Sequence, residues 1–123
     1  MDPSPDRRDS RRIFLGPDHS IHFLLKGHAF HEIRITNVSL GGCLAMAPLS
    51  DRSLFTQGAI LEQLGFDHPD LPRGPITAQI RYAFGTPSEQ PGLEFIGIGI
   101  SFVAMSQEIR ERLSVFMEAM LEI

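Results

Sequence analysis

The chain has a single cysteine, Cys43, in 123 residues. It therefore holds no internal disulfide and no cysteine cage for a metal. Lysine is equally scarce: of the 11 Lys and Arg residues, only Lys26 is a lysine. No apolar run approaches the roughly 18–20 residues that span a bilayer. The opening MDPSPDRRDSRR has no hydrophobic signal-peptide centre. Paired carboxylates, a metal-ligand set and a nucleophile–base pattern are all missing, which argues against an enzyme. No internal repeat is visible. These absences set the expectation of a reduced, cytoplasmic domain with no membrane insertion, no catalytic residue and no metal. The length fits one domain, and at 42% apolar composition such a chain buries roughly 65–70% of its unfolded surface.

The net charge of −4 argues against a general nucleic-acid binder. The positive charge is unevenly placed, because Arg7, Arg8, Arg11 and Arg12 crowd into one short stretch. Guanidinium is favoured over ammonium where phosphates or base edges are held in fixed geometry. Residues 1–11 are polar and hold two prolines, with no apolar face to bury, so they read as a flexible arm. Residues 12–123 read as the folded domain.

Period-2 patterning dominates that domain. Ile21, Phe23 and Leu25 alternate with polar or smaller neighbours, and Lys26-Gly27 offers a turn. His31, Ile33, Ile35 and Asn37 share one parity of a second strand. Gly41-Gly42 punctuates it before a short strand over 43–46. Pro48 to Gly58 reads as a loop, 59–66 as a fourth strand and 67–75 as a proline-rich connection. Ile76, Ala78, Ile80, Tyr82 and Phe84 alternate with Thr77, Gln79 and Arg81, which places the two aromatics on the core face. A polar hairpin loop over 85–92 leads to a last strand with Ile96, Ile98, Ile100 and Phe102. Gly97 and Gly99 sit on its other parity, where a bend or a close approach is possible. After Met105 the period lengthens. Ile109, Leu113, Phe116, Met117, Met120 and Leu121 form one face of a helix, with Ser106 as its N-cap. Six strands and a closing helix point to a small antiparallel barrel with the helix packed on it.

Two local patterns carry chemistry. Arg8-Asp9-Ser10-Arg11-Arg12 is an R-x-x-x-R pair preceded by Arg7. Asn37-Val38-Ser39-Leu40-Gly41-Gly42 is an N-x-S-x-x-G run at a strand end. In this order, about 25 residues apart across a hairpin, they resemble the signature of the PilZ domain, R-x-x-x-R followed by D/N-x-S-x-x-G. The apolar pair Ile13-Phe14 after Arg12, the Gly99-Ile100-Ser101-Phe102 stretch and the closing helix extend the resemblance from Arg7 to Ile123.

The resemblance implies a six-stranded barrel that binds cyclic di-GMP, a bacterial second messenger. Arg8 and Arg12 are then the motif arginines, and Asn37, Ser39 and Gly42, with Gly41 beside it, the second motif. An arginine at position 7 is associated in this family with an intercalated pair of ligand molecules, which implies two per chain. The ligand's chemistry agrees: guanine presents O6 and N7 acceptors that suit a bidentate arginine, and guanidinium planes stack on purines. Asn37 in place of aspartate offers one acceptor and one donor group instead of two acceptors. By parity Asn37 and Ser39 share the face of Ile33 and Ile35, so reaching a ligand requires the barrel rim or a bulge. The implied role is that of a switch in which the ligand orders the arm to create a surface for a downstream protein. The rival is a PilZ-like structural adaptor that binds a protein partner and no nucleotide. Such relatives normally lack the arginine pair.

Blander readings compete at each point. An arginine cluster near a terminus is commonly a solvated arm. Asn37-Val38-Ser39 matches a glycosylation sequon by accident of composition. His19, His22, His28 and His31 form two H-x-x-H pairs, but residues three apart on a strand face opposite sides. Cys43 reads as a buried strand residue, and the methionines as core. Gly97-Ile98-Gly99 opens no helix, so it is no nucleotide fingerprint.

Overall fold

The computed structural model describes residues 11–85 and 94–121. The elements are β1 (Ile13–Phe14), β2 (Ser20–Leu25), β3 (His28–Val38), β4 (Gly42–Pro48), β5 (Ile60–Phe66), β6 (Ile76–Phe84), β7 (Phe95–Ala104) and α1 (Gln107–Leu121), with a short 3-10 turn at Leu49–Asp51. Strands β3, β2, β5, β6, β7 and β4 pair in that order, and β4 returns to β3. All the pairings are antiparallel, so six strands close into a barrel, as the patterning predicts. The two residues of β1 are an addition to that ring: Ile13 pairs with Val38 and Phe14 with Asn37.

Local chemistry explains the regular parts. Lys26 (φ 52) and Gly27 (φ 82) take left-handed conformations between Leu25 and His28. A two-residue loop of this kind matches the right-handed twist of its flanking strands. Ile21, Phe23 and Leu25 of β2 are buried, as are Ile76, Ala78 and Ile80 of β6 and Ile96, Ile98 and Ile100 of β7. Opposite the isoleucines of β7 stand Cys43, Ala45 and Ala47 of β4, paired with Ile100, Ile98 and Ile96. Small residues facing large ones let the two rows fill the same layer without overlap. Phe23, Phe30 and Phe55 pack together, with the Phe23 and Phe55 rings edge-on at 6.2 Å.

Several register shifts interrupt the ladders, and those on β3 beside β4 and on β6 beside β7 bear on the site. Along β3 and β4, Ile35 pairs with Ala45 but Asn37 with Leu44, so one extra residue sits on β3. Such a bulge flips the alternation, and Val38 instead of Asn37 continues the core row. Along β6 and β7, Ile80 pairs with Ile100 but Tyr82 with Gly99. Here the expected inward position of Tyr82 and Phe84 is overturned: both are about half exposed. Their rings cover Gly99 and Gly97 and leave no room for a Cβ on either glycine.

The helix begins where expected. The Ser106 hydroxyl accepts the Ile109 N–H at 3.2 Å, the N-cap bond that satisfies one of the first-turn donors. Ile109, Leu113, Phe116 and Met117 are buried, but Met120 and Leu121 are exposed. The apolar stripe outruns the core, so its last turn borders solvent-open crevices beside Pro69 and beside Arg11 and Leu40. No helix among the described residues is long and apolar enough to cross a membrane.

Candidate functional site

The site grows from the short strand β1. Ile13 is buried and Phe14 is exposed, so pairing with the end of β3 pins the backbone just after Arg12. That position lets Arg12 Nη1 donate to Asn37 Oδ1 at 2.7 Å, across 25 residues of sequence. Asn37 is only 6% exposed, and a buried amide oxygen needs such a partner. The bulge at Thr36 is what turns Asn37 away from the row of Ile33 and Ile35 and toward the arginine.

Ser39 closes the corner between β3 and β4. Its hydroxyl accepts the N–H groups of Gly41 and Gly42 at 3.2 Å each and reaches the Gly42 carbonyl at 3.3 Å. The Ser39 N–H also donates to that carbonyl, at 2.8 Å. A short hydroxyl side chain bonding forward to the backbone is a local substitute for a turn. Gly42 lies so close to the Ile100 backbone carbonyl that a Cβ would collide with it. Its lack of a side chain serves the packing of β4 on β7.

Arg12, Ser39, Gly41, Gly42 and Cys43 form one wall of a pocket of about 460 Å³, within the size range of small-molecule sites. Gln57, Arg81 and Tyr82 form the other wall, and Gly99, Ile100 and Ser101 the floor. Among the described residues its two charged lining residues are both arginines, with no carboxylate between them. The pocket is therefore suited to an anion with acceptor edges. Cys43 is buried at its base, and burial pushes its thiol up from 9.0 to about 12, against the opposing pull of Arg12. The sulfur stays protonated at neutral pH and is a packing group.

Of the residues singled out from sequence, Arg12, Asn37, Ser39, Gly41 and Gly42 come together here. Asn37 stands behind Arg12 and is not itself among the lining residues. Arg7 and Arg8 lie outside the described residues. Gln57, Arg81 and Tyr82 were missed, because only the β6 bulge and the barrel closure bring them to this face. The histidines are held elsewhere. His19 stacks on His68 with ring centroids 4.1 Å apart, while His22 Nδ1 lies 2.8 Å from Asp67 Oδ1. No group of three or more His, Cys, Asp and Glu able to hold a metal occurs among the described residues.

No family model and no curated protein matches the sequence. Solved structures do match. The complex of K. pneumonia MrkH with c-di-GMP superposes with a TM-score of 0.72 at 17% identity, covering 97% of this chain and 54% of that one. Apo MrkH gives 0.74 at 15% identity, covering 95% and 50%. This chain thus spans about half the length of MrkH. The c-di-GMP-bound PilZ domain of YcgR from Escherichia coli gives 0.69 at 14% identity and covers 95% of this chain and 93% of its own. Ring of six strands, added β1 and closing helix together make this chain a PilZ-type barrel.

Proposed function

We propose that the chain is a cytoplasmic receptor for cyclic di-GMP that acts by binding, without catalysis. One observation carries the reading: the 2.7 Å hydrogen bond that joins Arg12 to Asn37 brings the two sequence motifs together at the mouth of a pocket whose charged lining, among the described residues, is arginine alone. MrkH and YcgR, both solved with c-di-GMP, supply the supporting likeness of fold. Arg12 holds a phosphate or guanine edge. Asn37 orients it, while Ser39, Gly41 and Gly42 hold the turn that the ligand packs against. Arg7 and Arg8, on the arm 1–11, add further guanidinium groups to the ligand, and Arg7 accounts for two ligand molecules per chain.

In this scheme the ligand's phosphates neutralise the crowded guanidinium groups and draw the arm onto the barrel. Ordering the arm costs binding energy, so the measured affinity is the surplus. The ordered arm presents the surface for a downstream protein.

Titration calorimetry with cyclic di-GMP tests the reading. Saturation at two ligands per chain is expected; a one-to-one plateau rejects the pair. Arg12→Ala and Arg8→Ala should each lose a charge-assisted contact, on the order of 1.5–3 kcal/mol. Unchanged affinity in both variants overturns this site; a parent chain that binds no cyclic di-GMP overturns the receptor assignment and leaves the nucleotide-free adaptor.

A further inference from the structure

The wall of the pocket facing Arg12 has a construction of its own. In a regular strand, neighbouring residues face opposite sides. Arg81 and Tyr82 are neighbours, yet both are exposed and both line the same pocket. The register shift between Ile80 and Tyr82 makes this possible. The Tyr82 ring lies over Gly99, with the backbone beneath it where a Cβ would be. Phe84 covers Gly97 in the same way and flanks Tyr82 with ring centroids 6.0 Å apart at 30°. Tyr82 is thus braced from below and from one side, while 49% of it stays exposed. A ring held this way offers a flat face that needs little further ordering, as base-stacking platforms do. Arg81 stands beside it, and no carboxylate lines the pocket among the described residues.

Strands β4 and β6 lie on either side of β7, so the two walls are two strand spacings, roughly 10 Å, apart. A ligand with one purine would use one wall. A ligand with two purines on a compact phosphate ring can address both.

Resting on the receptor reading above, we infer that Arg81 and Tyr82 form a second purine station: the base stacks on the Tyr82 ring and Arg81 donates to its O6/N7 edge. Adenine presents an N6 donor where guanine presents O6, so Arg81 sets the preference for guanine. Tyr82, whose stacking is blind to base identity, contributes affinity alone.

Calorimetry on the full chain with cyclic di-GMP and cyclic di-AMP separates these roles. Arg81→Ala should weaken cyclic di-GMP roughly tenfold or more while changing cyclic di-AMP little, so the ratio between the two narrows. Tyr82→Leu keeps a side chain over Gly99 but removes the π-face, and should weaken both dinucleotides by a similar factor. Tyr82→Phe should bind as the parent does. Phe84→Leu makes the same change outside the pocket and should leave binding intact, which separates lost stacking from a loosened strand. The inference falls if Arg81→Ala and Tyr82→Leu bind like the parent while Arg12→Ala does not; the receptor reading then stands. It also falls if Phe84→Leu weakens binding as much as Tyr82→Leu. If the parent binds neither dinucleotide, the receptor reading itself fails, and this inference with it.

Discussion

The body of β3, and its end together with the corner to β4, are built on different terms. From His28 to Ile35 the strand pairs with its hairpin partner β2 through one register shift opposite His22, and its inward residues, Ile33 and Ile35, are apolar and buried. From Thr36 to Gly42 the chain bulges, its buried residues include Asn37 and Ser39, and side-chain hydrogen bonds hold its shape. The first half is stabilised by area removed from water, which is non-directional and tolerant of detail. The second half is fixed by a few directional hydrogen bonds. One strand thus carries a scaffold and a site, and the change from one to the other occurs at a single extra residue.

That contrast can be broken by substitution. The largest effect belongs to the scaffold half: Ile35→Ala empties a fully buried position and should cost about 2–5 kcal/mol in urea unfolding. Among molecules that remain folded, ligand binding should persist. Ser39→Ala reverses the pattern. It leaves the Gly41 and Gly42 N–H groups without the acceptor they have now, at about 1–3 kcal/mol, and should reduce binding more than its stability loss explains. If Ile35→Ala and Ser39→Ala instead depress stability and binding in equal proportion, the division within β3 is not real.

The smallest effect concerns Cys43, where the two regions meet. Its thiol ionises near 9.0 when unfolded and only near 12 when folded. Between those values the folded chain keeps a proton that the unfolded chain releases. Stability therefore falls as pH rises through that window, by up to about 1.4 kcal/mol per unit. Cys43→Ala removes this slope, so unfolding curves for parent and variant should converge from roughly pH 8 to 10. Parallel pH profiles would show that the thiol is not shielded as described.

Much of this was legible in the sequence. The strands, the Lys26-Gly27 turn and the Ser106 cap follow from alternation, left-handed preference and hydroxyl capping. That Arg12 and Asn37 belong to one site was implied by the family resemblance of their motifs, while the hydrogen bond between them was not foreseen. Tyr82 and Phe84 were misplaced for a definite reason: period-2 reading assumes equal residue counts on paired strands, and a bulge breaks that count without a marker in composition. For the same reason Arg81 and Gln57 could not be assigned to the pocket. The use of Ser39 was also hidden, since a hydroxyl can serve a ligand or its own turn, and only the distances to Gly41 and Gly42 distinguish these. On α1, spacing identified the apolar face but not where the surface beneath it ends.

The row Cys43, Ala45, Ala47 facing Ile100, Ile98 and Ile96 has a consequence for how a signal could travel. Methyl-sized groups meeting branched ones leave the inside of the barrel spoken for, unlike larger barrels that enclose a cargo. An occupant on the outer wall has no inner volume to push against. Whatever news it brings must move along the outside of the molecule, through the chain segments and side chains laid upon a stiff plate.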